Sequence, residues 1–148
     1  MTTLLRATTE LVAQAWLRGV LGDIVATTLP RDNASWMASG FVTVATVGGS
    51  ANPYVPLRSP VVSVDCWAVH PGSNRPPWNK ATSLAERVQA ACWDHAATPR
   101  LLTLPANYPQ ARVLSAYSTY EARRVPDDAA SYARINLGLS VNWVEVAS

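Results

Sequence analysis

Charge is scarce in this chain. Charged residues fill 15% of its 148 positions, against about 25% in a typical domain. Lysine is nearly absent, Lys80 being the single one among twelve basic residues. A formal net charge of +2 encodes neither a nucleic-acid groove nor a membrane-binding face. No apolar run approaches the ~18 residues that a membrane-crossing helix needs. The opening MTTLLRATTE has no charged segment followed by a long apolar stretch, so no secretory signal is expected. Histidine occurs twice, as His70 and His95, and neither stands in an HxxxH or CxxC spacing, so no metal site is expected. There is no GxSxG, and no helix or lysine follows Gly48-Gly49 at phosphate-loop spacing. Asp127-Asp128 reads as a turn rather than a carboxylate pair. No internal repeat and no low-complexity tail is present.

Cysteine is equally sparse. Cys66 and Cys92 both fall on expected core-facing positions and read as buried, reduced thiols; a disulfide between them is the alternative. Asp65, Cys66 and His70 do not form a thiol-hydrolase set. Adjacent strand residues point to opposite faces, so Asp65 cannot orient a histidine that also activates Cys66. The absences together favour a structural protein over an enzyme.

What the chain does have is hydrophobic content of 49% and six tryptophans. Low charge with this much tryptophan implies surface that copies or partners cover. A length of 148 residues predicts one domain, 1–148, able to bury roughly 68–70% of its unfolded surface without a metal or disulfide.

The organising stretch runs from Arg58 to His95. Val61 to Val69 is β-branched and apolar and predicts a strand opening after Pro60. Val62, Val64, Cys66 and Ala68 share one face, while Ser63, Asp65 and Trp67 share the other. A stiff loop, HPGSNRPPWN, leads to a helix whose apolar stripe is Ala81, Leu84, Ala85, Val88, Ala91, Cys92 and His95, with Asn79 in the N-cap position. The stripe is expected to lie on the Val62/Cys66 face.

Upstream, Thr8 or Thr9 caps a first helix with Glu10 in its first turn. Its stripe is Ala13, Trp16, Leu17, Val20 and Ile24, and Gly22 is the expected stop. IVATTLP reads as a short strand. RDNASWMASG is turn-rich and leaves Trp36 in polar company. FVTVATV is a strand ended by Gly48-Gly49-Ser50, and ANPYVPLRSP is a proline-stiffened connection.

Downstream, TPRLLTLPANYPQ is a connection anchored by Leu101, Leu102 and Leu104. ARVLSAYSTYEARRV is a weakly alternating strand with Leu114, Ala116 and Tyr120 on one side and Tyr117, Thr119 and Glu121 on the other. In the last strand Ile135, Leu137, Leu139, Val141 and Trp143 face one way, and Arg134, Asn136, Gly138, Ser140 and Asn142 the other. The order α-β-β-β-α-β-β predicts an α+β fold, a mostly antiparallel sheet with both helices packed on one face. The opposite, half-polar face with Trp67 is the expected subunit contact. Interface candidates are Tyr54, Arg58, Trp67, Arg75 and Trp78, in stiff loops or on that face, and Trp93, which falls off the helical stripe. Trp, Tyr and Arg are the usual interface anchors; the plainer reading makes several of them core or cap residues.

Five segments, TELVAQAWL, FVTVATVGGSANPYVPLRSPVVSVDCWA, RPPWNKATSLAERVQAAC, LPANYPQARVLSAY and YARINLGLSVNW, cover nearly the whole chain. In this order they resemble the tail terminator (tail-completion) proteins of long-tailed bacteriophages, particularly those of actinobacteria. The resemblance implies a small α+β subunit in a homohexameric ring at the head-proximal end of the tail tube. The ring's partners would be its own copies, the major tail tube protein and a neck or head–tail connector protein. It would act in the virion after assembly in the host cytoplasm, with DNA passing through the lumen without specific binding. No cofactor, membrane or catalytic turnover is implied. The alternatives are a head-closure or other neck component, and a small ligand-binding or enzymatic domain.

Overall fold

The computed structural model describes residues 7–32, 35–69, 77–105, 108–125 and 132–146. The elements are α1 (Thr9–Leu21), β1 (Val25–Ala26), β2 (Phe41–Ala51), β3 (Arg58–Val69), α2 (Trp78–Trp93), β4 (Arg100–Leu102), β5 (Gln110–Arg124) and β6 (Tyr132–Val146). The strands form one sheet in the order β1-β2-β3-β6-β5-β4. β1 pairs parallel to β2, and every other neighbour is antiparallel. This is the expected α+β arrangement, with one more short strand, β4, taken from the connection after α2. Leu102 and Leu104 of that segment are buried as expected, whereas Leu101 is exposed.

Both helices contribute to one core with the Val62/Cys66 face. Val62, Val64, Cys66 and Ala68 of β3 join Ile135, Leu137, Leu139, Val141 and Trp143 of β6, and all nine are buried. From α1 the core takes Val12, Ala13, Trp16, Leu17 and Leu21, and from α2 it takes Ala81, Leu84, Ala85, Val88 and Cys92. Thr8 caps α1, its side chain accepting from Leu11 N at 3.4 Å, and Gly22 ends the helix at φ 89°. Ile24 therefore lies beyond α1, half-buried against the core.

Several expectations are corrected. Asn79 is not a cap: Pro77 precedes the first helical residue, with no side-chain cap bond. Tertiary contacts hold this helix start instead. Lys80 Nζ donates to the carbonyls of Met37 and Ala38 at 3.3 and 2.9 Å, and the Arg124 guanidinium lies 4.7 Å from the centre of the Trp78 ring. His95 is exposed rather than on the stripe, because α2 ends at Trp93 and Asp94 caps it. Thr98 Oγ1 then donates to the carbonyls of Ala91 and Asp94 at 2.6 and 2.7 Å. His70 lies outside the described residues.

Gly48-Gly49 does not end β2, which runs on to Ala51, and β3 starts before Pro60, at Arg58. Val47 is the extra residue of a bulge between Thr46 and Gly48. Pro60 fits inside β3 because the β3–β6 ladder skips from Arg58↔Trp143 to Val61↔Ser140, so its missing N–H is not needed there. On the other side Pro60 faces Gly49, whose φ is 129° and whose place would put a Cβ 2.5 Å from Pro60 Cα. Only glycine meets both demands.

Trp36 is not stranded in polar company. It is 2% exposed and forms a second cluster with Phe41 and Val69, against which Trp67 and Tyr132 also pack. The loop before β2 thus folds over one end of the sheet's back face. The Trp36 ring stacks on Tyr132 at 6.1 Å and tilts against Phe41 at 6.3 Å. β5 also departs from simple alternation, with register shifts at Val113/Ser115, Ser118/Tyr120 and Tyr120/Arg123. Leu114 is pushed out to solvent by the first shift. Tyr120 lands on the back face, away from Ala116, and its hydroxyl donates to Asn136 Oδ1 at 2.7 Å.

Both cysteines are free and buried. Burial pushes the Cys66 thiol up to about 12, with the neighbouring Asp65 carboxylate adding to the shift. Burial alone pushes Cys92 up to about 11. The fold therefore holds the neutral thiols. This stability is complete below the ordinary value of 9.0 and falls as pH rises toward the folded values, because only the unfolded chain ionises in that window. Alkylation at neutral pH is expected to label neither thiol natively and both after denaturation without reductant. Rapid native labelling would contradict the β3–α2 register.

Candidate assembly surface

The face of the sheet turned away from the helices is built by alternation along β2, β3 and β6. Thr43, Asp65 and Asn136 lie on one rung, and Phe41, Trp67 and Arg134 on another. These side chains are not left over. Asp65 accepts two bonds from Arg134, Nε to Oδ1 at 3.1 Å and Nη2 to Oδ2 at 3.0 Å. Asn136 Nδ2 lies 2.8 Å from Asp65 Oδ1 and 2.7 Å from Ser63 Oγ, and its carbonyl oxygen accepts from Tyr120. Trp67 Nε1 donates to Thr43 Oγ1 at 2.9 Å, and the Arg134 guanidinium lies 4.9 Å from the Trp67 ring centre. A bidentate, half-buried pair inside such a network orients its members more than it stabilises them.

The sequence candidates separate accordingly. Trp67 is half-buried with its indole N–H satisfied. Trp78 is half-buried beneath Arg124. Arg58 is exposed, with its guanidinium 5.0 Å from the Trp143 ring centre. Tyr54 is 92% exposed on the turn between β2 and β3. Asn52 Oδ1 holds that turn by accepting from the backbone N–H of Tyr54 at 2.9 Å and of Val55 at 3.2 Å. Trp93 is 73% exposed at the C-terminal end of α2. Arg75 lies outside the described residues. The fold places Tyr54 and Arg58 on one hairpin and sets Trp78 and Trp93 at opposite ends of α2, so the five described candidates do not converge on one patch.

Exposed apolar residues that the sequence reading passed over lie elsewhere. Val47 is exposed on β2, and Leu114, Tyr117 and Tyr120 on β5. The signal was present in the weak alternation of LSAYSTYE, which the register shifts of β5 produce.

Among the open clefts of the described residues, two flank the sheet. One, about 460 Å³, runs between the β2–β3 hairpin and Thr9 and Glu145. The other, about 570 Å³, lies between α2 and the later half of β5, with Trp93 and Arg123 among its lining. Among the described residues no three His, Cys, Asp or Glu side chains are grouped to hold a metal, and no helix is long and apolar enough to cross a membrane.

No family model and no curated protein matches the chain. Among solved structures it is similar to a chain of the virion of a native gene transfer agent particle, with 17% identity, a TM-score of 0.48 and coverage of 93% of this chain and 90% of that one. A likeness of that degree carries no argument about function.

Proposed function

We propose that this chain is a structural subunit of a long-tailed phage virion, a tail terminator that forms a homohexameric ring on the head-proximal end of the tail tube. The observation that carries the reading is the placement of exposed apolar side chains toward the two opposite ends of one sheet, Val47 on β2 beyond the reach of β1, and Leu114, Tyr117 and Tyr120 on β5 beyond the reach of β4. A two-fold dimer needs one self-complementary patch; a ring needs two different patches that meet head to tail. The sequence resemblance along nearly the whole chain supplies the tail context, and the α+β fold agrees with what that resemblance implies. In this reading the ring ends tube polymerisation and offers its other surface to a neck protein. It works without cofactor or turnover, and DNA passes through its lumen without specific binding.

The test is tube growth. Tail-tube subunits of the same phage, polymerising alone, are expected to give tubes of unbounded length. Adding this chain is expected to halt growth and leave a ring visible at one tube end. Unchanged tube lengths, with no ring at either end, would contradict the proposal.

A further inference from the structure

The long strands second from each end of the sheet, β2 and β5, are each capped for only part of their length. β1 covers β2 at Val42 and Thr43, and β4 covers β5 from Ala111 to Val113. Among the described residues no strand pairs with the outer side of β2 from Val44 to Ala51, or of β5 from Leu114 to Arg124. Open strand edges of this length are what monomeric proteins guard with charge, proline, bulges or short strands, and of these the two edges carry chiefly bulges, at Val47 on β2 and along β5. The β2 edge, VATVGGSA, has no charged residue and no proline. The facing span of β5, LSAYSTYE, carries a single charge, at Glu121.

The two open edges also match in height, which follows from the register alone. One rung runs Ala51↔Arg58↔Trp143↔Val113, the next Thr46↔Val62↔Leu139↔Ser118, and a third Val42↔Cys66↔Ile135↔Arg124. β4 ends on the first rung, where β2 is open, and β1 sits on the third, where β5 is open. The capped part of one edge therefore stands level with the uncapped part of the other, as two steps of opposite hand. Three antiparallel pairings separate β2 from β5, so the two strands run in opposite senses. Rotation about an axis along the strands keeps those senses and brings the β5 edge of one copy beside the β2 edge of the next as an antiparallel pair.

We propose that a second copy of this chain occupies each open edge, β2 residues 44–51 pairing with β5 residues 114–121 of the neighbour, so that the sheet continues from subunit to subunit around the ring. This rests on the ring reading above and adds the bond that closes it. One rung is already guarded: Thr46 N–H donates to Glu10 Oε1 at 3.4 Å, a long contact that pairing would displace. Val47, Leu114, Tyr117 and Tyr120 would flank the new ladder.

Two measurements decide it. Thr46→Pro removes an outward N–H while leaving the β2–β3 pairing in place, because that N–H points to Glu10 rather than to β3. It is expected to raise the concentration for half-assembly by about tenfold or more without loss of far-ultraviolet circular dichroism. Separately, Thr46→Cys and Ser118→Cys chains are mixed and oxidised, the native thiols staying silent because they are buried. A disulfide between the two variants, and none within either variant alone, is expected. A register displaced along the strand would move the bond to Ala116→Cys or Ala122→Cys, which share the face of Ser118. A Thr46→Cys homodimer would make β2 a two-fold contact and overturn the proposal. Wild-type rings with no bond at residues 116, 118 or 122 would overturn the edge pairing and leave the ring reading standing. A wild-type chain that stays monomeric would overturn both.

Discussion

Replacing Trp16 with alanine is expected to cost the fold about 3–5 kcal/mol, the range for removing a fully buried large aromatic. Trp16 is 0% exposed, and its indole N–H donates to Thr98 O at 3.1 Å. Its carbonyl accepts from Arg100 Nη2 at 2.7 Å, and the same guanidinium lies 5.2 Å from the ring centre. One side chain thus ties α1 to the turn after α2 and to β4. Losing the ring also removes the favourable cation–π contact to that guanidinium. With total stability of about 5–15 kcal/mol typical of a domain, the variant would sit near the unfolding threshold. Urea denaturation read by tryptophan fluorescence checks this, and a loss below about 1 kcal/mol would show that the site collapses around the gap.

Trp67→Ala is expected to destabilise the isolated subunit by about 2–4 kcal/mol, before any effect on assembly. The ring meets Tyr132 edge-on at 6.5 Å and carries Arg134 above it at 4.9 Å. Its N–H bond to Thr43 fixes its orientation. Trp67→Phe keeps the aromatic contacts and gives up that bond, so its expected loss is about 1 kcal/mol. Thermal melts at a concentration where the wild type is dissociated separate the two roles. An unchanged melt with lost assembly would instead make Trp67 an interface anchor.

Much of the fold was legible because two periodicities were clean. β6 alternates without a break from Ile135 to Trp143, and α2 keeps its stripe from Ala81 to Cys92. Where a tertiary partner overrides a local signal, the sequence reading failed. Gly48-Gly49 reads as a stop, yet Gly49 is what lets β2 pass Pro60 at close range. Asn79 has the chemistry of a cap, but Lys80 and Trp78 fix the helix start from outside. Trp36 looked isolated because its partners, Phe41, Val69 and Tyr132, come from three different strands. The proposed edge contact lay beyond the reach of the sequence. Choosing aromatic and arginine residues one by one finds Tyr54 and Trp93, but an open strand edge is a property of pairing. It becomes visible only when the register shows which stretches of β2 and β5 lack a neighbour.

Ring closure of copies of this chain through two different edges of one sheet is what we propose. Its most direct test is native mass spectrometry of the purified protein with electron microscopy of the same sample. A single closed species of six chains with an open centre, dissociated by Thr46→Pro, is expected. A monomer at every accessible concentration, or a two-fold dimer with no larger species, would contradict it.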